Sequence, residues 1–112
     1  MLDETSRDIL EGIFYEIAPE DYILIFKSNK PKRLHGYCTY DEKICVVYNN
    51  DFYGSLFTML HELAHAITGY GHTPEWEKTF VRLLVKYEYP LDKIPDSHVF
   101  GPALREWSRS NG

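Results

Sequence analysis

Residues 61 to 65 read His-Glu-Leu-Ala-His. In a helix of about 3.6 residues per turn, the two histidines project from one face, one turn apart. Ring nitrogens spaced in this way can each reach a single zinc ion at about 2.0–2.1 Å. Glu62 then lies about 100° round from His61, too far to join the pair as an obvious ligand but able to reach a water on the metal. The residue types suit hydrolysis. Neutral imidazole is a good zinc ligand, three protein ligands leave a fourth position for water, and the ion lowers that water's pKa to about 7. A neighbouring carboxylate can accept the proton as the water attacks a peptide carbonyl, then pass it to the leaving amine. With aspartate or glutamine in place of Glu62, the pair would still bind metal but would serve hydrolysis poorly. The plainer reading makes His61 and His65 buried helix residues bonded to neighbours. It fits badly with so apolar a helix, because buried polar groups need partners.

A third ligand must come from elsewhere. His72 follows His65 by seven residues and precedes the start of another helix. Gly69 and Gly71 can adopt backbone angles barred to other residues, so the chain can turn sharply there and bring His72 to the metal. Glu75, Glu77 and Glu88 are the alternatives, since a carboxylate from the following helix can fill the same position.

The elements that must hold these residues follow from periodicity and punctuation. Leu56, Met59, Leu60, Leu63 and Ile67 recur at spacings of three and four, which predicts a helix from about Tyr53 to Thr68, with Asn49, Asn50 and Asp51 supplying turn and cap chemistry before it. Thr73-Pro74-Glu75 has the signature of a second helix start, running to about Tyr87 with Trp76, Phe80, Leu84 and Tyr87 toward the core. Thr5 or Ser6 can cap a first helix reaching Ala18, with Ile9, Leu10, Ile13, Phe14 and Ile17 at helical spacing. Residues 21–27 read as a strand, and the segments 34–40 and 43–49 read as a hairpin around Asp41 and Glu42. The expected fold class is α+β: a small three-stranded antiparallel sheet with an N-terminal helix, an HExxH helix and a backing helix. A short final helix over residues 102–108 would return Leu104 and Trp107 to the domain.

Residues 61–80, HELAHAITGYGHTPEWEKTF, resemble the core of the SprT-like metallopeptidases, in which an HExxH helix is followed by a glycine-containing turn, a third histidine and a tryptophan-bearing helix. The resemblance covers about the middle fifth of the chain. It implies a minimal gluzincin-like (zincin-like) fold, zinc held by His61, His65 and His72, Glu62 as catalytic base, and Trp76 packed behind the metal. The chain has no cysteine-paired zinc ribbon. It also departs from the metzincin pattern, which would place the third histidine at position 71, held here by Gly71. The expected function is zinc-dependent peptide hydrolysis on a protein or peptide substrate. Two other readings remain: a regulatory peptidase resembling the ImmA/IrrE type of mobile elements, with an acidic third ligand, and a catalytically silent zinc-binding interaction module closed by a fourth protein ligand.

Length and composition bound the rest. A chain of 112 residues with a hydrophobic share of 44% suits one ordered domain spanning residues 1–112. Twelve basic against seventeen acidic residues, net charge −5, argue against a surface that binds nucleic acid as a whole. The local exception is Lys27, Lys30, Lys32 and Arg33, a basic loop that allows a weak nucleic-acid contact. Neither a secretory leader nor an apolar run long enough for a membrane span is evident, so a cytoplasmic, non-membrane protein is expected. Cys38 and Cys45 would face each other across the hairpin, as free packing thiols in a reducing compartment. Tyr70, Tyr48, Tyr53, His35 and His98 are candidate donors to the tetrahedral oxyanion, and an exposed sheet edge could pair with substrate backbone.

Overall fold

Three helices in the chain begin with the same local device. In a computed structural model describing residues 2–28, 34–48, 51–90 and 93, helix α1 spans Glu4–Ile17, α2 Phe52–Thr68 and α3 Pro74–Lys86. Asp3, Asp51 and Thr73 stand just before them in extended conformation. Their side-chain oxygens accept from the Ser6, Gly54 and Trp76 N–H groups at 2.7, 2.6 and 3.1 Å, each satisfying a donor with no partner inside the helix. The first cap is therefore Asp3 rather than Thr5 or Ser6. A carboxylate does the same work two residues earlier and also meets the positive end of the helix dipole.

The strands are β1 Ile23–Lys27, β2 Gly36–Thr39 and β3 Ile44–Tyr48. Their order is β1-β3-β2, with β1 parallel to β3 and β2 antiparallel to it, so the sheet is mixed and not antiparallel throughout. The physical reason lies in β3. Cys45, Val46 and Val47 are consecutive and all buried, which requires cover on both faces and a neighbour on each edge. β3 accordingly takes the centre, and β1 pairs with it instead of with β2, the next strand in sequence. The hairpin between β2 and β3 keeps the expected register, Cys38 opposite Cys45, although its turn occupies Tyr40–Lys43.

α2 is the element on which the rest assembles, packing against β2 and β3, against α1 and against α3. Leu56, Met59, Leu60 and Leu63 of its stripe are buried, with Leu10 and Phe14 from α1 and Phe80 and Leu84 from α3 meeting them in one core. Two residues expected inside are exposed: Ile9 on α1 and Ile67 near the end of α2. α2 approaches β2 closely at Gly36, where a Cβ would sit 2.6 Å from the Val46 carbonyl oxygen, 2.7 Å from Thr58 Cγ2 and 3.6 Å from Glu62 Cγ. Only glycine permits that approach, and it sets Glu62 against the sheet. Among the described residues no helix is long and apolar enough to cross a membrane. The expected final helix, with Leu104 and Trp107, lies outside the described residues.

Candidate metal centre

His61 and His65 sit one turn apart in the second half of α2, with ring centroids 5.0 Å apart. The chain then leaves the helix through Gly69 and Gly71, at φ 99° and 90°, angles that L residues rarely adopt. This reversal returns His72 to α2. Its Nε2 lies 3.3 Å from His61 Nε2, and its ring centroid lies 5.0 Å from that of His65. One ligand atom from each of His61, His65 and His72 falls within 4.8 Å of the other two.

These distances fit a single cation. Two nitrogens bound to zinc at about 2.05 Å with a tetrahedral angle between them stand about 3.3 Å apart, the separation found between His61 and His72. The His65 ring is held by a hydrogen bond on its other nitrogen. Its Nδ1 lies 3.1 Å from the Gly69 carbonyl oxygen, which can only accept, so Nδ1 carries the proton and Nε2 keeps its lone pair for a ligand. Burial holds the His65 ring's pKa below its usual value, and the neighbouring His72 adds to this against the Gly69 hydrogen bond, favouring the neutral form that binds metal. Glu75 and Glu77 occupy the first turn of α3 and Glu88 follows its end at φ 52°; none joins the histidines. Among the described residues no fourth histidine, cysteine or carboxylate completes the group.

Trp76 forms the floor. It is buried, its ring lies 4.9, 5.2 and 4.4 Å from those of His61, His65 and His72, and its indole N–H donates to the His61 carbonyl at 3.4 Å. Phe80 supports it one turn further along α3, 5.1 Å away. The Thr73 cap and Pro74 thus fix the start of a helix whose third residue packs against all three imidazoles.

Glu62 is only 7% exposed, and burial pushes its carboxyl up to about 7. A carboxyl in that range exchanges protons readily near neutrality. Its surroundings include Cys38 and two residues not singled out from the sequence, Gly36 and Tyr40. Burial pushes the Tyr40 phenol well above its usual range, and the adjacent Cys38, Tyr70, Tyr22 and Glu62 groups push it further, so it remains a neutral O–H donor. No motif announces Tyr40. The β-hairpin turn and the Gly69–Gly71 reversal bring it to Tyr70, at a ring-centroid distance of 4.0 Å.

The other sequence candidates are dispersed. Tyr70 is 77% exposed in the reversal beside His72. Tyr53 lies two turns before His61 with its ring against Phe52 and Tyr89, Tyr48 packs near Tyr37 at the end of β3, and the His35 carbonyl accepts from the Tyr48 N–H. Lys27 donates to the Tyr37 hydroxyl at 3.2 Å. His98, Lys30, Lys32 and Arg33 lie outside the described residues. No protein-family model matches the chain, and no curated protein or solved structure shows detectable similarity to it.

Proposed function

We propose that the chain is a zinc-dependent peptidase of zincin-like build, with His61, His65 and His72 as metal ligands and Glu62 as general base. The observation that carries this reading is the convergence of three imidazoles that no fourth protein ligand joins among the described residues, on a helix whose residue after His61 is a buried carboxyl pushed up to about 7. The resemblance of residues 61–80 to the SprT-like core supports the same assignment. A divalent cation at such a site supplies Lewis acidity, polarising a carbonyl and acidifying water. Glu62 accepts a proton from water at its carboxylate oxygen and delivers it to the departing amine. The histidines orient the cation, and Trp76 and Phe80 exclude water from behind them.

The substrate is an extended polypeptide. Among the described residues β2 has β3 on one side only, so its outer edge offers backbone donors and acceptors beside Gly36 and Glu62. A histidine third ligand sets this reading apart from the ImmA/IrrE-like alternative, which calls for a carboxylate.

The test is Glu62→Gln in purified chain. Zinc content by elemental analysis should stay at one per chain while the rate of cleavage of an unfolded protein substrate falls by about 10²–10⁴-fold. A variant that cleaves as fast as the parent removes Glu62 from the mechanism.

A further inference from the structure

The Cys38–Cys45 pair lies outside the hydrolytic chemistry, and its geometry is specific. The Tyr48 N–H donates to the His35 carbonyl at 3.0 Å. Counting along the antiparallel register from that bond, Tyr37 and Val46 form a hydrogen-bonded pair and Cys38 and Cys45 a non-hydrogen-bonded one. Opposed Cα atoms at such positions are about 4.5 Å apart, inside the range that a disulfide spans. Both thiols are free, with Sγ atoms 3.3 Å apart. They differ in access: Cys45 is fully buried against α2, its Sγ 4.0 Å from the Glu62 carbonyl oxygen, whereas Cys38 on the edge strand is partly open to solvent.

We infer that Cys38 and Cys45 form a dithiol oxidation site that reacts with low-molecular-weight disulfides, Cys38 attacking first and Cys45 resolving. The Cys38 thiolate displaces one thiol from the incoming disulfide, leaving a mixed disulfide on Cys38. Cys45 then attacks the Cys38 sulfur, and its proton passes to the departing thiolate, releasing the second small thiol. In sum, two protein thiols are oxidised to one disulfide, and one small disulfide is reduced to two thiols. The order follows from access and from polarity. The hydrogen bond from the Cys45 thiol lowers the Cys38 thiol's pKa, and the same contact, with burial, raises that of Cys45. Capping Cys38 removes that contact, which is the largest cause of the rise at Cys45. Closing the bond shortens the sulfur separation to about 2.05 Å and fastens β2 to β3 beside Gly36.

The experiment treats the folded, reduced chain with glutathione disulfide and reads intact mass. The parent should end two hydrogens lighter with no glutathione retained, and a non-reducing digest should join the peptides carrying Cys38 and Cys45. Cys45→Ala should stop with one glutathione on Cys38, and Cys38→Ser should stay unmodified while folded. Should Cys45→Ala fail to fold, time-resolved quenching of the parent replaces it and should catch the mixed disulfide on the Cys38 peptide before the bridge. A parent that retains glutathione or stays unmodified overturns the inference, as does a folded Cys38→Ser that reacts as fast as the parent. Mass is the readout, so the outcome is independent of whether the chain cleaves peptides.

Discussion

His65 and Gly69 are joined by two reciprocal hydrogen bonds: the Gly69 N–H donates to the His65 carbonyl at 2.7 Å, and the His65 Nδ1–H donates back to the Gly69 carbonyl at 3.1 Å. The residue that ends α2 is thus also the one that orients a candidate metal ligand. Helix termination and ligand tautomer share one cause, the left-handed backbone at position 69.

Gly69→Ala separates that cause from packing. A Cβ there meets nothing within 4 Å, so the cost is conformational, set by a backbone at φ 99° and ψ −169°, about 1–3 kcal/mol of stability. Moving the carbonyl frees the His65 ring, and zinc affinity should fall about 10–100-fold. Denaturant titration and competition with a chelator measure the two effects. Unchanged affinity in a destabilised variant would show that the carbonyl does not orient the ring.

Trp76→Ala should cost about 3–5 kcal/mol, because it empties a buried site in contact with three rings. Trp76→Phe keeps an aromatic floor and loses the indole N–H bond to His61, a loss of about 1 kcal/mol beyond the packing change. Urea unfolding of both variants checks the ranking, and equal losses would mean the bond to His61 carries the whole effect.

The pH dependence of the metal-free chain carries the sign of Glu62. Its folded value, about 7, lies above the ordinary 4.5, so the folded state holds the proton more tightly. That contribution is fully present below pH 4.5 and is lost as pH rises through 7, in total on the order of 3 kcal/mol. His65, whose value is lowered, acts in the opposite sense and loses stability as pH falls. The difference between parent and Glu62→Gln unfolding free energies across this range isolates the carboxyl. A difference that does not change with pH would contradict the burial argument. Added zinc favours the carboxylate and should flatten the profile.

Gly36→Ala places a methyl against the Val46 carbonyl and the Thr58 methyl. The backbone cannot yield cheaply, so stability should fall by about 1–3 kcal/mol. α2 should also move off β2, lowering cleavage more than zinc content. A variant as stable and active as the parent would show that the close approach is dispensable.

Features that depend on neighbours along the chain were legible before folding. The histidines of 61–65 share a face because α-helical geometry repeats every turn. Asp51 and Thr73 start their helices because a short side chain can reach an N–H three residues on. Cys38 opposes Cys45 because a tight turn sets hairpin register. Even the return of His72 was legible, since Gly69 and Gly71 leave few ways for a short segment to run. Other features arise only from contacts between distant segments. The choice of β3 as central strand turns on which strand can bury both faces, a competition among segments distant in sequence. The proton affinity of Glu62 turns on how closely Gly36 lets β2 approach α2, and the meeting of Tyr40 with Tyr70 turns on a hairpin and a loop whose separation in sequence leaves no periodicity. Local hydrogen bonding and rotation per residue can be read in one dimension, whereas burial and the dielectric around a charge exist only after distant surfaces have met.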